Sequence, residues 1–219
     1  MSVATEYRPA SYTLYDALLA LLKVARERRV TISRKKAAKL LYLADTKAVS
    51  DGGEPISGAT WKWQDYGPFD NAWYEAEDAL VWTGSVERHD TRADLAFYRS
   101  VRLTLAEDVD DPLPAQAMRI LHEVVAEHGH KSANKLQALS YATEPMIEAQ
   151  AGGERGVLLN LDQARKARRA RALIERHRAM RAELQQLPDD PGVSADLDAE
   201  FAEFGALRRR ANTEELGDA

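Results

Sequence analysis

Apolar residues recur at helical spacing along most of this chain, and one block of large aromatics breaks that rhythm. Leu14, Leu18, Leu21, Leu22 and Ala25 form a first stripe. Ala37, Leu40, Leu41, Ala44 and Ala48 form a second, with Lys35, Lys36, Lys39 and Lys47 largely off that face. Ser33 is placed to cap the second helix, and Gly52-Gly53 to end it. A chain so patterned folds around packed helices, with room for only a small sheet.

The interruption is where the sheet belongs. Ala59, Trp61 and Trp63 alternate with Thr60, Lys62 and Gln64, which predicts a strand over 59–65 with one buried face. Gly67-Pro68 closes it, and Pro68 is expected in the first turn of a helix striped by Phe69, Ala72, Trp73, Ala76 and Leu80. Runs 85–89 and 97–103 flank a polar turn at 90–94. They are expected to form a hairpin that joins the Trp61–Trp63 strand in one antiparallel sheet. All four tryptophans lie between Trp61 and Trp82. Most are expected in the core behind a thin sheet, leaving one or two for a binding surface.

Helices resume downstream. Asp111-Pro112 is expected to introduce one carrying Met118, Leu121, Val124 and Val125, and Ser132 to cap a short one holding Leu136 and Leu139. A long helix is expected from about Leu161 to Leu187. Residues 157–187 hold eight Arg/Lys against three Asp/Glu, whereas residues 188–219 hold nine acids against three arginines. The Asp-Asp-Pro-Gly stretch at 189–192 reads as a linker. Beyond it Leu197, Phe201, Phe204 and Leu207 recur at helical spacing in a tail expected to fold on binding. The expected fold class is α+β and predominantly helical: a helical domain with a small antiparallel sheet, then a long C-terminal helix. The expected divisions are a domain at 1–156, a basic helical extension at 157–187 and an acidic tail at 188–219.

The usual reactive constellations are missing from the sequence. With no cysteine there is no thiol nucleophile, disulfide or common structural zinc site. Gly152-Gly153-Glu154-Arg155-Gly156 lacks the lysine of a phosphate loop. His122, His128 and His130 do not follow a His-Glu-x-x-His spacing, and Asp108, Asp110 and Asp111 do not fit a calcium loop. No catalytic residue, metal or cofactor is therefore expected, and a hydrolase or transferase built on scattered carboxylates and His122 is the weakest reading. No apolar run approaches a membrane span, so a cytoplasmic protein with no membrane partner is expected.

Three segments taken together resemble a known family. Lys-Leu-Leu-Tyr-Leu-Ala-Asp at 39–45, Gly-Glu-Pro-Ile-Ser-Gly at 53–58 and Trp-Lys-Trp-Gln-Asp-Tyr-Gly-Pro-Phe at 61–69, with Tyr74 beyond, are similar to the Panacea domain. This is the SocA-like antitoxin domain, also found in phage-associated proteins of the GepA type. The resemblance covers about residues 12–150. Its motif residues here are Lys39, Leu40, Tyr42, Trp63, Tyr66, Gly67, Pro68 and Tyr74. At 139–149 the family commonly has a histidine and, after the proline, a tryptophan, where this chain has Tyr141 and Met146.

The resemblance implies a helical domain with a small antiparallel sheet, no cofactor, and neutralisation of a cognate toxin protein by direct binding. One member type presents its toxin to a Clp-type protease, which makes proteolytic delivery or a phage-associated adaptor role an alternative. From the residues themselves, Tyr42 and Tyr66 are suited to pack while donating a hydroxyl, and Gly67-Pro68 to set a corner. Candidate toxin contacts outside the resemblance are Arg165, Arg168, Arg169 and Arg176 on the basic helix and Phe201 and Phe204 in the tail. A second reading is a regulator binding its own operator DNA through Arg34, Lys35, Lys36 and Lys39 or the basic helix. Against it stands a net charge of −5. The sequence is also compatible with a homo-oligomer.

Overall fold

A computed structural model describes residues 12–92, 99–184 and 191–216. The chain divides into two units, residues 1–171 and 172–219. The first is helical with two small antiparallel sheets, in keeping with the α+β, mainly helical class.

Helix α1 (Leu14–Glu27) starts at Thr13, whose hydroxyl and backbone N–H exchange hydrogen bonds with Asp16 in a capping box. Its Leu18, Leu21 and Val24 are fully buried. Strand β1 (Ile32–Ser33) leads into α2 (Arg34–Ser50), which Ser33 caps by accepting from the Lys36 N–H, as its sequence position predicts. Helix α2 stops just before Gly52-Gly53. It is the central helix. Residues 37 to 42 are buried without a break, because α2 is packed by α1, by α4 (Ala115–His128) and by α5 (Ala133–Tyr141). Lys39 is therefore not off the apolar face, as the stripe suggested, but inside.

The aromatic block folds differently from its expectation. Strand β2 (Lys62–Gln64) pairs antiparallel with β3 (Gly67–Phe69), Trp63 opposite Pro68. Pro68 thus lies in a strand rather than a helix, and α3 (Ala72–Trp82) begins only after Asp70 and Asn71. A proline has no N–H for a ladder, so it is tolerated in a strand only where no such bond is asked of it. On its other side β2 takes residues 156–159: Gly156 N–H donates to Trp63 O at 2.7 Å, Trp63 N–H to Val157 O at 3.0 Å and Leu159 N–H to Trp61 O at 2.9 Å.

The hairpin of β4 (Val86–Arg92) and β5 (Arg99–Leu105) does not join the tryptophan strand. It pairs through β5 with β1, Ile32 opposite Leu103, in a separate sheet of order β1-β5-β4. The strands run on past the turn expected at 90–94, since Asp90 and Arg92 still pair with Val101 and Arg99; residues 93–98 lie outside the described residues. Helix α4 begins three residues after Pro112, behind Pro114, and Ser132 caps α5 as expected.

Helix α6 (Glu144–Gly152) ends at Gly153 in the left-handed region, and α7 (Asp162–Leu184) runs from the first unit into the second. Residues 185–190 lie outside the described residues. The expected linker at 189–192 is helical from Pro191, where α8 (Pro191–Leu216) starts. In the second unit Leu173, Met180, Leu197, Phe201, Phe204 and Leu207 are all exposed. No helix among the described residues is long and apolar enough to cross a membrane.

Candidate functional site

Two constructions grow out of α2. The first is internal. Asp45 is fully buried, and the chain returns over it through residues 53–58. Its Oδ1 accepts from the N–H groups of Ile56 at 2.7 Å and Ser57 at 2.9 Å. Its Oδ2 accepts from Trp61 Nε1 at 2.7 Å and from the Ser57 hydroxyl. Burial pushes the Asp45 carboxyl up, against the downward pull of these four bonds. Trp61 then stands edge-on to Tyr42, ring centres 5.5 Å apart, and the buried Tyr42 hydroxyl meets Thr143 Oγ at 2.6 Å. Gly58 closes the loop with φ +66°, and a Cβ there would come within 2.2 Å of the Tyr12 carbonyl oxygen. These are joints, with no open surface.

The second construction is a groove of about 810 Å³ where the starts of α2, α3 and α5 meet the β2–β3 turn. Lys39 lies on its floor, 5% exposed, and donates to the Pro68 carbonyl at 2.8 Å. Burial, with the Lys35 ammonium nearby, pushes the Lys39 amine down to about 7. Tyr66 and Tyr74 form two walls, 56% and 51% exposed. Lys35 Nζ stands 4.5 Å from the centre of the Tyr66 ring and the Arg34 guanidinium 5.4 Å from that of Tyr74. Phe69 packs against Tyr74 at 5.5 Å and against Trp73 at 6.1 Å.

Arg34 is held in place from beneath. Its Nε and Nη2 donate to both oxygens of the buried Glu77 at 2.7 and 2.6 Å. Trp73 Nε1 and Arg88 also donate to Glu77, at 3.1 and 3.3 Å. Burial pushes the Glu77 carboxyl up, but these donors outweigh it and leave the group below its ordinary value.

Residues 38–145 match the family model described as antitoxin SocA-like, Panacea domain. The chain carries a Panacea domain. No curated protein and no solved structure matches the chain.

The Panacea motif residues divide between the groove and the core. Lys39, Tyr66, Gly67 and Tyr74 line the groove. Leu40 and Tyr42 are core, and Pro68 is buried opposite Trp63. Tyr66 does not pack as expected; its side chain faces solvent. Trp63 lies beneath the Arg155 guanidinium, 4.5 Å from its ring centre, and donates to the Tyr141 hydroxyl at 3.3 Å. Tyr141, where the family commonly has histidine, thus supports the β2–β3 turn, and Met146, where it commonly has tryptophan, is fully buried. Three of the four tryptophans are core, as expected of most of them, and Trp82 is 89% exposed.

Gly67 has φ +95°, and a Cβ there would lie 3.0 Å from Tyr141 Cε2 and 3.2 Å from Lys39 Nζ. Gly67→Ala is expected to cost about 1–3 kcal/mol, read in urea denaturation, because it combines backbone strain with a crowded groove floor. A midpoint equal to that of the native chain would mean the turn relaxes freely.

Of the candidate contacts outside the Panacea domain, two are engaged within the chain. Arg165 donates to the Gly53 carbonyl at 2.9 Å, and Arg168 to the Ser50 carbonyl at 3.0 Å and to Asp51 at 2.6 Å. Arg169 and Arg176 are exposed, as are Phe201 and Phe204 at 74% and 71%. Of those in the first unit, Arg165, Arg168 and Arg169, none lines the groove. Asp45, Glu77 and the groove-lining Asn134 and Gln137 escaped the sequence reading. Only Asp45, inside a quoted motif, carried a signal. Among the described residues no group of three or more His, Asp or Glu could hold a metal ion.

Proposed function

We propose that this protein is an antitoxin that neutralises a cognate toxin by binding it directly. The observation that carries this reading is the convergence of four of the eight Panacea motif residues, Lys39, Tyr66, Gly67 and Tyr74, on one concave surface. Half-exposed tyrosines backed by fixed cations are the kind of rigid amphipathic anchors that dominate protein interfaces. Such a role asks for no catalytic residue. The exposed Leu197, Phe201, Phe204 and Leu207 of the second unit offer further apolar contacts for the partner, and Arg169 of the first unit and Arg176 of the second offer separate charged ones.

The test is growth. Each gene flanking this one is induced alone and then together with this chain, and complexes are recovered by affinity tag. One flanking product should be toxic alone, harmless with this protein, and bound to it. If no flanking product is toxic and nothing co-purifies, the reading fails. Persistence of rescue only where a Clp-type protease is present would make the mechanism delivery rather than blockade.

Truncation after Arg171 refines the test. That cut spares the pairing of residues 156–159 with β2 and the anchors of Arg165 and Arg168. The shortened chain loses the helical signal of residues 172–184 and of α8, but is expected to keep the unfolding midpoint of the first unit and to lose rescue. Full rescue would remove residues 172–219 from the interface.

A further inference from the structure

We propose that the groove over Lys39 takes an acidic peptide segment of the protein partner, seating one carboxylate on the Lys39 ammonium. The proposal rests on the protein-binding reading and names the chemistry that the partner brings to this site.

Charge comes first. Arg34, Lys35 and Lys39 line the groove against a single lining carboxylate, Asp65. Arg34 is already committed to Glu77, and Lys35 stands over Tyr66. Among the described residues, the almost wholly buried Lys39 donates a hydrogen bond only to the neutral Pro68 carbonyl. A buried ammonium without a countercharge is costly, and the cost is returned when a carboxylate arrives. The depressed basicity of Lys39 records that cost.

The fold strengthens the same field. The groove is lined by first-turn residues of three helices: Arg34 and Lys35 of α2, Tyr74 of α3 and Asn134 of α5. Helix N-termini carry partial positive charge and favour an anion. Gly67 keeps the approach to Lys39 open, since a Cβ there would fill it.

The rim favours a peptide over a denser anion. Gln64, Asn134 and Gln137 present amides, which both donate and accept and so match a peptide backbone. The exposed Asp65 opposes a chain of phosphates yet tolerates one carboxylate in register with Lys39.

The test uses the full chain, labelled with ¹⁵N and titrated with acetyl-triglutamate amide or acetyl-triglutamine amide. Triglutamate should shift the amides of Tyr66, Gly67 and Asn134, and triglutamine should not. Lys39→Met, which keeps volume and removes charge, should weaken the response roughly tenfold, and so should Lys35→Glu on the surface. The surface variant keeps the test valid if the buried one fails to fold. Equal responses to the two peptides, or triglutamate binding unchanged in the folded variants, overturn the proposal. So does inorganic phosphate binding the same amides more tightly than triglutamate, which makes the groove a phosphate site. Rescue from a toxin separates the two readings. If the native chain and both lysine variants rescue equally, the antitoxin reading stands and the acidic segment falls. If triglutamate binds as described and no toxin is found, the groove stands and the antitoxin reading falls.

Discussion

Asp45→Ala is expected to destabilise the domain by on the order of 4 kcal/mol, enough to lower its melting temperature by roughly 10 °C. The side chain takes up four donors at once, and three of them, the two backbone N–H groups and the Trp61 indole, cannot become acceptors. Each donor stranded in the interior loses its water and gains nothing. Asp45→Asn should cost about half as much, because one carbonyl oxygen remains for Ile56 and Ser57 while the amide N–H₂ faces the indole N–H. Urea denaturation of the three chains checks the order. A cost under about 1 kcal/mol for alanine would mean that water enters and satisfies the loop. Because the loop and Trp61 hang on this carboxylate, the loss should also appear as increased exposure of Trp61 fluorescence.

This joint explains why the helical part of the fold was readable and the aromatic part was not. Ser33 and Ser132 cap their helices within three residues, so the cause lies wholly inside a short window of sequence. The strand at Trp61 and Trp63 was also readable as a strand, since its alternation is local. Its partners were not: it pairs with Gly67–Phe69 ahead and with residues 156–159, nearly a hundred positions on. Nothing in a period-two pattern says which strand lies alongside. Pro68 misled for a related reason, because its fixed φ suits both a helix start and a strand that asks no N–H of it.

The groove was legible only in part. Lys39, Tyr66, Gly67 and Tyr74 came from the family resemblance, but their meeting did not. Lysine is ordinarily an exposed residue, and a stripe analysis of α2 places Lys39 with its surface neighbours. It is inside because α2 is surrounded on several sides. Glu77 carried no signal at all, since an acid four residues after Trp73 reads as an ordinary helix surface.

Glu77→Ala is expected to cost about 3–5 kcal/mol and to loosen the groove as well. Removing this carboxylate leaves Arg34 with its fork unpaired in a half-buried place and takes a partner from Trp73 and Arg88. Because the folded Glu77 lies below its ordinary value near 4.5, the folded state binds fewer protons than the unfolded one as pH falls through that region. Its contribution is therefore complete at neutral pH and is lost as pH drops below about 4.5 through the folded value. The stability gap between the native chain and Glu77→Ala should accordingly shrink in acid; a gap constant down to pH 3 would show that packing, not the charge, is what alanine removes. The double replacement Arg34→Met with Glu77→Leu separates architecture from recognition. A buried ion pair exchanged for apolar groups of similar size often keeps stability, so the double variant should recover most of what Glu77→Ala loses. It should not recover partner binding, because the cation beside Tyr74 is gone. Recovery of both would make the Arg34–Glu77 pair a fastening of the fold alone and leave Lys35 and Lys39 as the groove's working charges.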